Sequence, residues 1–251
     1  MIKSERLNRI LTLVAQRGFA SLEDISREIA VSESTVRRDI VELDREGKLT
    51  RERGGASGLR TASFRMVDQK LIIREKIEGE AKTRIAKRAL ELLEPGMTVY
   101  IDAGSTTLTM AKLLPNGFPI TVVTNSFSLA HVVAERNIST YLIGGLFKLT
   151  TDATVGPIAE EFLGHFHFRY GFMGANAVDP GKGFMTPDVS EAAVKRQAIA
   201  SSETPVFLVD RTKFDSQSVV AFAPLKGATA ITDYIDRAQR YPGLKIMEVE
   251  Q

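Results

Sequence analysis

The chain has no cysteine, only three histidines and no apolar run near the length of a bilayer span. Each absence excludes something. Without thiols there is neither a disulfide nor a thiolate metal site, which suits the cytoplasm. His131, His165 and His167 are too few for a histidine-rich metal centre or a Ser-His-Asp triad, so no metal, cofactor or catalytic residue is expected. A spanning helix needs about 20 consecutive apolar residues, and residues 1–10 break into charge too early for a secretory signal. A surplus of either charge is also missing. The first 60 residues hold 12 basic and 10 acidic side chains and the remainder 21 of each, for a net charge of +2. Bulk charge therefore gives no sign of a nucleic-acid binder, and local placement has to. Internal repeats and low-complexity tracts are absent too. What remains is a 251-residue chain, 43% hydrophobic and 25% charged, with the balance of a globular protein of one large or two ordinary domains.

The first part reads as helices. Leu7, Ile10, Leu11 and Val14 fall at helical spacing until Gly18. Ser21 with Asp24 three positions on is a capping-box-like start for a helix with Leu22, Ile25 and Ile29 on its apolar face. After a tight break, Ser32 caps a further helix with Val36, Ile40 and Leu43 inward, ending at Gly47. Residues 48–55 alternate and then turn as a hairpin would, and 56–62 read as a small linker. Capped helix, tight turn, capped helix and basic hairpin describe a winged helix-turn-helix over residues 1–58, its motif near 20–39. The second helix of that motif enters the major groove. Ser32, Ser34, Thr35, Arg37 and Arg38 lie on or near its outward first turns, and Arg51 and Arg53 share one side of the wing. Arginine forks onto guanine, while hydroxyls and helix N-termini bind phosphates. Double-stranded DNA is the expected partner.

Residues 64–93 are helical and strongly charged, with 59–76 as a linker or transmitter helix. Beyond it, apolar segments at 97–102, 120–125, 140–144, 170–174, 206–210 and 228–232 alternate with helical patterns, predicting an α/β domain over 77–251 with a largely parallel sheet. Strand-to-helix junctions repeat one chemistry. Asp102-Ala-Gly104-Ser105-Thr106-Thr107 offers backbone N–H groups, hydroxyls and a helix N-terminus to an anion, although Ser105 or Thr106 also reads as a plain helix cap. Thr124-Asn125-Ser126, Gly144-Gly145 and Gly174 are further small junctions. Ligands of open parallel sheets collect at strand C-termini, so these together suit a polyol phosphate. Lys195 or Lys213 would meet the phosphate, and Asp102, Glu191 and Asp210 the hydroxyls. Glu191 and Lys195, one turn apart, also fit an exposed pair contributing about 0.3–0.5 kcal/mol.

Arg6, Ile10 and Val14, then Ser32, Thr35-Val-Arg-Arg-Asp-Ile40 and Gly54-Gly55, resemble the N-terminal signature of the DeoR family of bacterial transcription regulators. The later junctions, with Glu191 and Asp210-x-x-Lys213, resemble that family's effector domain, similar in fold to ribose-5-phosphate isomerase and coenzyme A transferases. The resemblance implies a homo-oligomeric repressor, dimer or tetramer, of a sugar-catabolism or sugar-uptake operon, controlled by a phosphorylated sugar, with phosphate at Gly104–Thr107. Asp39 reads as structural, since an acid aimed at phosphate would repel it. Met185-Thr-Pro-Asp188 before Glu191-Ala-Ala-Val-Lys195 is most similar to relatives that sense fructose 1-phosphate. The alternative is an isomerase- or transferase-like enzyme fused to a DNA-binding module. Asn176 stands where the isomerases carry an acid for proton transfer, and it cannot act as a general base; no enzymatic activity is expected. Arg211 departs from the commoner Asp-Ser-Ser-Lys pattern.

Overall fold

A computed structural model describes residues 3–17, 19–46, 48–52, 54–57, 79–235 and 237–249. The chain divides into two compact units, Met1–Ser63 and Phe64–Gln251.

In the first unit, α1 (Lys3–Arg17), β1 (Phe19–Ser21), α2 (Leu22–Ile29), α3 (Glu33–Arg45), β2 (Thr50–Glu52) and β3 (Gly55–Ser57) enclose a core of Ile10, Val14, Ile25, Val36, Ile40, Leu43 and Leu49. The caps act as expected: Ser21 Oγ accepts from the Asp24 N–H at 3.0 Å, and Ser32 caps α3 through Thr35 N–H. The turn between α2 and α3 is tight because Ala30 takes a left-handed conformation, φ 55°, and Ser26 Oγ donates to Val31 O at 2.6 Å. The α3 helix ends at Arg45 with Glu46 as its C-cap; Gly18 and Gly47 lie outside the described residues. The hairpin forms, but as part of a three-stranded sheet, β1-β3-β2, all antiparallel. Ala56 and Ser57 are therefore strand, not linker. Two glycines permit this. Gly54 turns the chain at φ +87°, and a Cβ on Gly55 would stand 2.2 Å from Ala20 O.

In the second unit, α4 (Gly79–Leu90) precedes β4 (Thr98–Ile101), α5 (Ser105–Leu113), β5 (Thr121–Thr124), α6 (Phe127–Glu135) and β6 (Ser139–Leu142). Then come β7 (Leu146–Lys148), β8 (Ala153–Val155), α7 (Pro157–Gly164), β9 (Phe168–Gly174), β10 (Ala177–Asp179) and β11 (Gly183–Thr186). The unit closes with α8 (Val189–Ala200), β12 (Ser202–Leu208), β13 (Val220–Ala223), β14 (Thr229–Thr232) and β15 (Lys245–Glu248). The charged helix expected to run to Leu93 stops at Leu90, where the chain turns; the linker at 59–76 lies outside the described residues. Among the described residues, a seven-stranded sheet is ordered β15-β14-β12-β9-β4-β5-β6 and every pairing is parallel. It takes in every strand read from the sequence and adds β15. Its apolar residues alternate between two cores. Val99, Ile101 and Val122 pack with Ile85, Leu108 and Leu129 of α4, α5 and α6, while Tyr100, Val123 and Phe207 face Leu163 of α7 and Val194 of α8. A β7–β8 hairpin and an antiparallel sheet β10-β11-β13 complete the unit. Because the long sheet is all parallel, Gly174 at the end of β9 and Asp102, Asn125, Gly144 and Asp210 just past theirs lie at strand C-termini along one edge.

Candidate nucleic-acid interface and ligand site

On α3, burial of Val36, Ile40 and Leu43 turns Arg37, Arg38 and Ser34 outward and leaves all three exposed. Ser32 Oγ lies 2.9 Å from Ser34 Oγ and 3.0 Å from Thr35 Oγ1, so a hydroxyl cluster marks the helix N-terminus. Asp39, in the same run as the arginines, is buried. It accepts a two-pronged contact from Arg6, Nε to Oδ2 at 2.5 Å and Nη2 to Oδ1 at 3.1 Å. That hydrogen bonding pushes the Arg6 guanidinium pKa up, and the acid serves to lock α1 to α3. In the wing, Arg51 is exposed and its backbone N–H donates to Asp44 Oδ1 at 2.9 Å, fastening β2 to α3. Arg53 lies outside the described residues.

At the C-terminal edge of the parallel sheet, polar side chains are buried in number, which is expensive unless they are paired. Asp102 is paired on all sides. It takes an ion pair from Lys195, the Gly174 N–H at 3.1 Å and the Tyr100 hydroxyl at 3.3 Å. Burial, reinforced by Asp102, raises the Tyr100 phenol well above its ordinary pKa. Lys195 also donates to Gly174 O at 3.1 Å. Asn125 Oδ1 accepts from Tyr100 and from Ala103 N–H, at 3.0 and 2.9 Å, and Nδ2 donates to Thr154 O. Thr124 Oγ1 accepts from Ser126 N–H; Ser126 caps α6 and donates to Asp152 at 2.6 Å. Asn125, Thr124 and Ser126 thus shape the junction through protein contacts.

The expected anion loop divides. Thr107 is fully buried and spends its hydroxyl on Gly104 O at 2.9 Å. Ser105 and Thr106 keep 5% and 7% exposure, and neither hydroxyl has a hydrogen-bond partner among the described residues. Gly104 is the N-cap of α5 without a side-chain cap, so the first-turn N–H groups retain donor capacity. Gly144 and Gly145 are exposed; a Cβ on Gly145 would stand 2.7 Å from Val155 O, so that glycine is there for packing.

Glu191 and Lys195 are both buried, against the exposed-pair reading, and each turns to a different partner. Thr186 Oγ1 donates to one oxygen of Glu191 at 3.3 Å, while the other, Oε1, has no hydrogen bond among the described residues and stands 3.5 Å from Lys148 Nζ. Asp210 repeats the pattern. Its Oδ1 accepts from Thr212, and its buried Oδ2 has no hydrogen bond among the described residues, with Lys213 Nζ at 3.6 Å. Burial pushes the Asp210 carboxyl up, but Lys213, Thr212 and Lys82 outweigh it, and its pKa lies below the ordinary 3.8. Asp188 behaves likewise: burial opposes, and Lys148 at 2.6 Å with the Glu191 N–H prevails. Sequence reasoning missed Lys82, Lys148, Asp152 and Asp188. Lys82 carried a signal, since it lies on the same buried stripe of α4 as Ile85, Ala86 and Ala89.

The chain is 35% identical to the HTH-type transcriptional regulator GlpR of Haloferax volcanii, over 90% of this chain and 88% of that one. It is 33% identical to a lactose phosphotransferase system repressor of Staphylococcus aureus, over 94% of each, and 32% identical to the L-fucose operon activator of Haemophilus influenzae, over 88% of each. Ribose 5-phosphate isomerase A of Methanocaldococcus jannaschii is a distant structural neighbour, with TM-score 0.41 and 18% identity over 54% of each chain. Residues 6–61 match the DeoR-like helix-turn-helix domain and 77–234 the DeoR C-terminal sensor domain; the chain belongs to the DeoR family of DNA-binding transcriptional regulators.

Proposed function

We propose that this protein is a cytoplasmic repressor of a sugar-catabolism or sugar-uptake operon, released or engaged by a phosphorylated sugar, for which fructose 1-phosphate is the first candidate. Residues 1–58 read double-stranded operator DNA through Ser32, Ser34, Thr35, Arg37, Arg38, Arg51 and Arg53. Residues 59–76 transmit, and 77–251 sense. The protein acts as a homo-oligomer, since paired operator half-sites call for paired recognition helices. One observation supports the sensor: two buried carboxylate oxygens, Glu191 Oε1 and Asp210 Oδ2, have no hydrogen bond among the described residues and only a lysine ammonium at 3.5 and 3.6 Å, at the sheet edge that holds the α5 N-terminus. Acceptors in need of donors suit sugar hydroxyls; unspent donors at Ser105 and Thr106 suit a phosphate. Lys195 or Lys213 meets the phosphate, beside the Asp102 and Asp210 carboxylates that each accompanies.

Catalysis is disfavoured by Asn176, which offers no base, and by the tie between Asp102 and Lys195. The ligand works as a signal by binding one state of the oligomer better than the other. The deciding experiment is a thermal-shift panel of phosphosugars on the full chain. A ligand at a hundred times its Kd stabilises by about 2.7 kcal/mol, and the same ligand is expected to change operator affinity. Turnover of a pentose phosphate, or no shift with any phosphosugar, would overturn the reading.

A further inference from the structure

Helix α3 carries one apolar side chain on its outward face. Val41 is 42% exposed, the only large hydrophobic residue of this helix left so among the described residues. A lone exposed valine is ordinary on a protein surface, but this one has a marked position. Arg37 and Arg38 stand one turn before it and Ser34 a turn before them, all exposed. Together with Glu33 these four residues line one open hollow. Glu33 is the acid of that hollow and sits in the first turn of α3, where the helix dipole favours it. One turn beyond Val41 come exposed Asp44 and Arg45, and Asp44 accepts from the Arg51 N–H at 2.9 Å. Glu42, the next residue along, turns to Lys3 at 2.7 Å.

Neither the helix nor the core accounts for this valine. A β-branched side chain loses rotamer freedom in a helix, where alanine, lysine or glutamate suits a solvated position better. The inward face is already filled by Val36, Ile40 and Leu43. Valine has no donor, so it holds no phosphate, unlike the arginines and hydroxyls around it. In the major groove, however, the base edges present donors, acceptors and one apolar group, the C5-methyl of thymine. An apolar side chain packs on that methyl and takes both surfaces out of water, which is favourable. Reach permits it. Val41 lies seven positions past Ser34, ~10 Å along the helix axis, which is the rise of about three base pairs. It therefore meets a base close to those within reach of the arginines.

Resting on the operator-reading face proposed above, we infer that Val41 is a specificity-determining residue that packs its methyl groups on the C5-methyl of a thymine in each operator half-site. The test uses the full chain and a randomised double-stranded oligonucleotide library, from which bound duplexes are selected and sequenced. Each thymine of the selected site is then replaced in turn by deoxyuridine, which removes the methyl and keeps every hydrogen-bonding group. At one position per half-site, wild type is expected to lose about 4-fold in affinity, the effect of one buried methyl. Val41→Ser should bind the thymine and uracil duplexes alike at that position, with the circular dichroism spectrum and melting curve of wild type. Val41→Ile should regain the discrimination. No position with a uracil effect, or the same effect in Val41→Ser as in wild type, would overturn the assignment and leave the operator-reading face standing. If wild type selects no common sequence, that face falls with it.

Discussion

Lys195 and Asp102, 93 positions apart in sequence, form a buried ion pair that closes the central strand junction of the sensor sheet. The pair joins α8 to the end of β4, and the Gly174 N–H and Tyr100 hydroxyl complete the carboxylate's shell. Removing one partner of such a pair strands the other charge in a low-dielectric interior. Asp102→Ala is therefore expected to cost about 3–5 kcal/mol. Adding Lys195→Met to it should recover part of that loss instead of deepening it. Urea denaturation of both single variants and the double variant measures the cycle, and additive losses would mean that the two charges are not coupled.

The three hydroxyl residues opening α5 should separate by function. Thr107 Oγ1 is committed to Gly104 O inside the core, so Thr107→Val is expected to lower stability by about 1–3 kcal/mol. Ser105→Ala and Thr106→Val break no side-chain hydrogen bond among the described residues. They should leave the melting temperature of the free protein in place while weakening phosphosugar binding. A hydrogen bond to a charged group contributes about 1.5–3 kcal/mol, or roughly 10–150-fold in Kd. Calorimetric titration with the ligand found by thermal shift checks this; unchanged affinity in both variants would remove the phosphate from the α5 N-terminus.

The depressed pKa values of Asp188 and Asp210 set an acid limit. Each carboxyl holds its proton less tightly folded than unfolded, because Lys148 and Lys213 favour the ionised form against the opposing effect of burial. The stabilisation is complete above the ordinary value of 3.8 and is lost as pH falls below it through the lower folded pKa values. Melting temperatures between about pH 7 and pH 2 should fall steeply only at the acid end. Asp188→Asn is expected to flatten part of that fall, and an identical acid slope in the variant would show that the Lys148 contact contributes nothing.

Much of this architecture was legible because its signals are local. Ser21 and Ser32 announce helices within three residues of the N–H groups they cap, and the parallel strands are apolar runs since both sheet faces are covered. What escaped depends on distant chain. The three-residue β1 is a strand only through its pairing with β3, which is why Ala56 read as linker. Strands β10, β11 and β13 likewise exist by mutual pairing. Glu191 and Lys195 looked like a helical pair, yet Asp102 and Lys148, supplied from the end of β4 and from a hairpin, decide where each turns. The small residues after the strands fall along one edge of the sheet, but their pattern does not say which hydroxyls the fold consumes.

Arg37 and Asp39 stand two positions apart on α3 and should fail differently. Arg37 is exposed and Asp39 buried against Arg6. Arg37→Ala removes a side chain able to fork onto a guanine, a contact that contributes about 1–3 kcal/mol of discrimination. Its operator affinity should fall ~5–150-fold with the helical signal and melting curve of wild type. Asp39→Ala leaves the Arg6 guanidinium without its carboxylate and loosens α1 from α3, so stability and DNA binding should fall together. Phosphosugar affinity should survive both changes. Gel-shift titration on the native promoter, run beside thermal melts of each variant, separates the outcomes. Full operator affinity in Arg37→Ala would take the outward face of α3 out of the DNA contact.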